Sequence, residues 1–113
     1  MPPFLDLREA RAIAADDDQL HQLVRTFHDS LGPEMTDLRA AFDAEDATQV
    51  DLKLHTLKGF LPLFCRADVG QALVDLYHQS RQVPLAQTRE RFQALCPVMT
   101  ALENEVRDWL GAL

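Results

Sequence analysis

Residues 46–64 read DATQVDLKLHTLKGFLPLF. Within that stretch Val50, Leu54, Leu57, Leu61 and Phe64 recur every three or four positions, a spacing that lines one face of an α-helix and neither face of a strand. Asp46 followed by Gln49 has the form of a capping box, with Asp46 accepting from the first turn and Gln49 reaching back to it. At about 100° per residue, His55 falls about 140° from the apolar line centred near Leu57 and Val50, so it is predicted to face outward. Asp51, Lys58, Gly59 and Pro62 share its side, and Leu52 and Leu63 flank it. A polar site bordered by exposable apolar residues is what a docking surface requires.

The same periodicity continues in both directions. Upstream, Leu20, Leu23, Val24, Phe27, Leu31, Leu38 and Phe42 predict one long amphipathic helix, and Asp16-Asp17-Asp18 before it suits a helix start, where carboxylates meet unpaired N–H groups. A short helix over about Asp6 to Ala14 is expected to precede it, with the first five residues mobile. Downstream, Val69, Leu73 and Leu76 predict a helix over about Asp68 to Gln82. Phe92, Leu95, Met99, Leu102, Val106 and Trp109 predict another over about Leu85 to Leu110. No segment alternates as a half-buried strand does. The fold class is therefore all-α, and the short connections favour an up-down antiparallel four-helix bundle with a short additional N-terminal helix. Pro33, Pro62 and Pro97 interrupt apolar periodicities that resume beyond them, which predicts kinks or chain breaks at each.

At 113 residues the chain has the length of a single domain, 1–113, with no room for a nucleotide-binding fold beside a separate substrate domain. Its 47% hydrophobic and 26% charged composition is that of a globular protein. The formal charge of −7 lies wholly in residues 1–50, and residues 51–113 balance. An acidic chain without a basic cluster repels phosphate backbones and anionic membrane surfaces, so neither nucleic acid nor membrane is an expected partner. No apolar run approaches the ~20 residues that span a bilayer, and Met1-Pro2-Pro3 does not open a signal sequence; the expected location is the cytoplasm.

Cys65 and Cys96 lack the spacing of a metal knuckle or redox pair and are expected to be buried free thiols. No metal site is expected: a di-iron bundle needs Glu-x-x-His segments, and this chain has none. His21, His28 and His78 have no chemical setting comparable to that of His55, and Ser30 and Ser80 have no base in view.

An exposed histidine beside a lysine is most often only a solvated helix face. Here a protonated imidazole and an ammonium one turn apart would repel, so Lys58 helps His55 only when an anion lies between them. Gly59 costs the helix roughly 1 kcal/mol relative to alanine on the same face. Both features make sense if something bulky and anionic must approach His55.

His55, Leu57, Lys58 and Gly59 match, position by position, the signature of the histidine phosphotransfer (HPt) domains of bacterial multistep phosphorelays, a family that this sequence resembles over essentially its whole length. Other points of likeness are the short leading helix, a phenylalanine such as Phe27 in the second helix, and an acid-ending spacer, Ala44-Glu45-Asp46, before the motif helix. The chain departs from the family pattern at Phe60, Leu61 and Pro62, where small residues are usual, and at Cys65, where glycine is common. The resemblance implies that His55 is the phosphorylated carrier, that Lys58 stabilises phosphate charge and that Gly59 gives access to the partner. Asp51, Leu52, Pro62 and Leu63 would belong to the binding surface. It implies no cofactor in this chain, with Mg²⁺ supplied by the partner, and no autokinase activity. The partners would be response-regulator receiver domains and a hybrid sensor histidine kinase, met by a monomer. A helical adaptor that docks a receiver without carrying phosphate is the alternative.

Overall fold

The computed structural model describes residues 3–112. It contains five α-helices: α1 (Arg8–Ile13), α2 (Asp17–Asp43), α3 (Ala47–Phe60), α4 (Ala67–Gln79) and α5 (Leu85–Gly111), with a 3₁₀ turn at Leu61–Leu63 between α3 and α4. No strand occurs among the described residues; the extended pairing there is a single antiparallel bridge between Leu5 and Cys65. The fold is all-helical. α2 packs against α3 and α5, α4 packs against α3 and α5, and α1 lies against α2 and the 3₁₀ turn. No described helix is long and apolar enough to cross a membrane.

The apolar periodicities become one continuous core. Val50, Leu54, Leu57, Leu61 and Phe64 are all buried, as are Leu20, Val24, Phe27, Leu31, Leu38 and Phe42 of α2 and Phe92, Met99, Leu102 and Val106 of α5. Burying each such side chain contributes about 1.5–3 kcal/mol. Phe27 stacks on Phe64 at 4.3 Å between ring centroids and meets the edge of Phe60 at 5.7 Å. The bulky residue that follows Gly59 thus turns inward onto α2 and away from the His55 face.

The starts of α2 and α3 are each capped by an aspartate. Asp16 accepts from the Gln19 backbone N–H at 2.9 Å, and Gln19 Oε1 accepts in return from the Ala15 N–H at 3.0 Å. Asp46 likewise accepts from the Gln49 N–H at 3.1 Å. The expected reciprocal half is absent at α3, because the Asp46 N–H is already spent on Ala41 O at 3.0 Å. That bond and the 3.0 Å bond from Glu45 N–H to Phe42 O close the end of α2 as a Schellman motif.

Glu45 occupies the left-handed position of this motif, at φ 54°, where glycine is the usual occupant and a Cβ is strained. Glu45→Gly is therefore expected to stabilise the protein by about 0.5–1 kcal/mol, the relief of strain exceeding the added freedom of the unfolded chain. Urea unfolding curves check this; a lower midpoint would show that the Glu45 side chain contributes more than its backbone conformation costs.

The three prolines behave differently from one another. α2 and α5 run on through Pro33 and Pro97, whose rings face solvent, where the carbonyl deprived of its partner can be hydrated. At Pro62 the α-helix ends at Phe60 and tightens into the 3₁₀ turn. Here the ring is half-buried against α4: a Cβ added to Gly70 would lie 3.2 Å from the Pro62 Cβ and 3.3 Å from its Cα.

Two expectations are corrected. The N-terminal segment was expected to be mobile. Met1 and Pro2 lie outside the described residues, but the Phe4 and Leu5 N–H groups both donate to Glu105 Oε1 at 2.9 Å, Asp6 N–H donates to Phe64 O, and Arg66 N–H donates to Phe4 O. A carboxylate from α5 and the backbone after the 3₁₀ turn thereby hold residues 4–6. Of the two thiols, Cys65 is buried and donates to Leu61 O at 3.3 Å, and burial, with Asp68 nearby, pushes its pKa up to about 12. Cys96 is free but only half-buried, since it borders a surface recess with Arg39 and Arg89.

Candidate functional site

His55 lies midway along α3 on the side opposite Leu54 and Leu57, and it is exposed. Neither of its ring nitrogens has a hydrogen-bond partner among the described residues, so both are available to a reactant. Gly59, one turn further on, is exposed too, and no atom lies within 4 Å of the position a Cβ would take. Leu52, one turn before His55, is 51% exposed, one of two large hydrophobic side chains among the described residues that stand out in this way.

The other residues expected on this surface are placed less uniformly. Asp51 is half-buried and accepts from Arg81 of the α4–α5 connection at 3.2 and 3.4 Å. Leu63 is half-buried and packs on the core. Pro62 is drawn toward α4 by the 3₁₀ turn, and it borders a recess with Asp6, Arg8 and Gly70. The exposed apolar border of His55 is thus chiefly Leu52.

The end of α4 and the connection after it add two residues that the motif reading missed. Tyr77, the chain's one tyrosine, is 7% exposed, and its ring centroid lies 5.5 Å from that of His55. Lys58 Nζ sits over the same ring at 5.0 Å from its centroid. Arg81 lies over it at 4.9 Å and donates to Tyr77 Oη at 2.6 Å. Its bonds to Asp51 hold the Arg81 guanidinium still more firmly in the charged form. Tyr77, near the end of α4, and Arg81, just beyond it, are four residues apart, a spacing visible in the sequence. Nothing local to α4 says that they face His55.

The chain's two lysines have opposite surroundings. Lys53, on the α2 side of α3, lies 3.5 Å from Glu34 and 3.4 Å from Asp37 and ties the two helices together. Lys58 has no carboxylate partner among the described residues. The site therefore consists of an unencumbered imidazole, an unneutralised ammonium and a guanidinium shared with Asp51, all gathered on one tyrosine ring. Such an arrangement can attract an anion to an exposed nucleophile.

Among the described residues, no group of three or more His, Cys, Asp or Glu side chains is placed to hold a metal ion. Compared with family models, with curated proteins and with solved structures, the chain finds no significant match in any of the three.

Proposed function

We propose that this chain is a phosphorelay intermediate in which His55 takes a phosphoryl group from the aspartate of one receiver domain and passes it to the aspartate of another. The observation that carries the reading is the pairing of an exposed, unbonded His55 with Lys58, a lysine that no carboxylate of the described residues neutralises, beside the open backbone of Gly59. The matching signature residues His55, Leu57, Lys58 and Gly59 support it. So does the packing of α2, α3, α4 and α5, which we read as an up-down antiparallel four-helix bundle with α1 as the additional N-terminal helix.

In the proposed step an unprotonated His55 ring nitrogen attacks phosphorus, an N–P bond forms, the P–O bond to aspartate breaks, and the electron pair leaves with the carboxylate. The other ring nitrogen keeps its proton. Donation to the second receiver reverses these changes. Charge spreads over the phosphoryl oxygens in a loose transition state, so the protein's contribution is positioning and neutralisation. Lys58 supplies the neutralising charge from this chain. The receiver brings the aspartate and its Mg²⁺.

Incubation with phosphorylated receiver domains tests the reading. Transfer of an acid-labile, base-stable label to this chain is the expected result. Binding without label would instead favour an adaptor that docks a receiver, and neither binding nor label would overturn both readings. Lys58→Ala is expected to slow transfer by roughly one to two decades, the loss of one charge-assisted contact of ~1.5–3 kcal/mol, at nearly unchanged thermal stability. Unaltered single-turnover kinetics would reduce Lys58 to a solvated helix residue.

A further inference from the structure

Lys58 and Lys53 lie on the same helix of an acidic chain, yet among the described residues only Lys53 is spent on carboxylates. The Lys58 ammonium instead lies over the face of Tyr77, 5.0 Å from the ring centroid. An ion pair fixes an ammonium by cancelling its charge and occupying its N–H donors. A ring face also fixes it, through the attraction of the quadrupole, but leaves the net charge and the hydrogen-bond donors free. The same ring lies 5.5 Å from His55, so a cation seated on it stays beside the nucleophile. Arg81, the second cation on the ring, is the one that engages a carboxylate, Asp51 at 3.2 Å.

We propose that Tyr77 is a positioning residue for the phosphoryl-transfer site: its ring seats the Lys58 ammonium beside His55 without neutralising it. The inference rests on the phosphorelay reading and extends it to a residue on a different helix. The near-complete burial of Tyr77 fixes the ring, and the Arg81 bond to Tyr77 Oη at 2.6 Å pins its outer edge. A flexible lysine stem, which loses much rotamer freedom when ordered, is thereby held before any phosphate arrives.

Two readouts test this. The first is proton NMR of the two lysines in the unmodified protein. The Lys58 ε-methylene protons are expected upfield of those of Lys53 because of the Tyr77 ring current, in wild type and in Tyr77→Phe but not in Tyr77→Leu. Coincident Lys53 and Lys58 shifts in the wild type would overturn the proposal whatever the variants do.

The second readout is the rate at which phosphoramidate, a small donor needing no partner protein, phosphorylates His55. Tyr77→Leu is expected to slow labelling roughly three- to tenfold, and Tyr77→Phe to recover most of that loss, because the cation–ring attraction does not need the hydroxyl. Adding Lys58→Ala to Tyr77→Leu should cost less than Lys58→Ala costs in the wild type. Full additivity, or wild-type labelling in Tyr77→Leu, would overturn the role of Tyr77 alone. A wild-type chain that phosphoramidate labels no faster than His55→Gln would overturn the phosphorelay reading and this inference with it.

Discussion

His55→Gln is expected to abolish phosphoryl acceptance completely while leaving the helices and the melting temperature close to those of the wild type. The side chain is exposed on the middle of α3 and makes no hydrogen bond to the described residues, so its removal takes nothing from the core that Leu54 and Leu57 build on the opposite side. Surface changes of this kind stay within about 0.5 kcal/mol. Glutamine preserves polarity and approximate size but has no nucleophilic ring nitrogen. The check is acid-labile label from a phosphorylated receiver, together with circular dichroism on the same sample. Label retained by the variant and mapped to His21, His28 or His78 would move the carrier elsewhere.

Leucine placed at Gly59 and at Gly70 should produce opposite failures. At Gly59 a new side chain extends into open space, so the fold is expected to hold or to gain up to about 1 kcal/mol from better helix propensity. In the proposed relay a receiver aspartate must nevertheless come within bonding distance of His55, one turn away, and the leucine would stand in its path. Transfer is expected to fall by roughly a hundredfold or more, the scale set by misplacing a reacting group by about 1 Å. At Gly70 even a Cβ meets Pro62 at 3.2 Å, and a leucine must push apart α4 and the 3₁₀ turn. Gly70→Leu is expected to cost about 2–3 kcal/mol or more, through overpacking, and to lower the melting temperature clearly. Thermal unfolding and single-turnover transfer, measured on both variants, separate the two cases. Unfolding by Gly59→Leu would mean that this glycine serves packing, and the access argument would fall.

The sequence resemblance pointed to Phe60 and Pro62 as departures near the site, and the structure gives each a packing partner. Phe60 meets Phe27 of α2, and Pro62 meets Gly70 of α4. Both bulky side chains fill the space between helices rather than cover His55. The proposed docking face therefore owes its apolar character to Leu52 more than to the residues after the motif.

What the sequence determined by itself was local. Helix spans, the aspartate caps at Asp16 and Asp46, and the outward face of His55 follow from the i, i+4 hydrogen-bond pattern and from apolar spacing, both contained in a few turns of chain. What only the tertiary structure decided depends on which surfaces meet. A tyrosine on α4 reads as one more apolar position until α3 lies across it; then it carries His55, Lys58 and Arg81 together. Gly59 and Gly70 look alike in sequence, yet one faces open space and the other a proline ring. Glu45 carries no sign of a left-handed turn, because the strain there is imposed by α2 ending and α3 beginning within three residues, and the packed helices hold it in place.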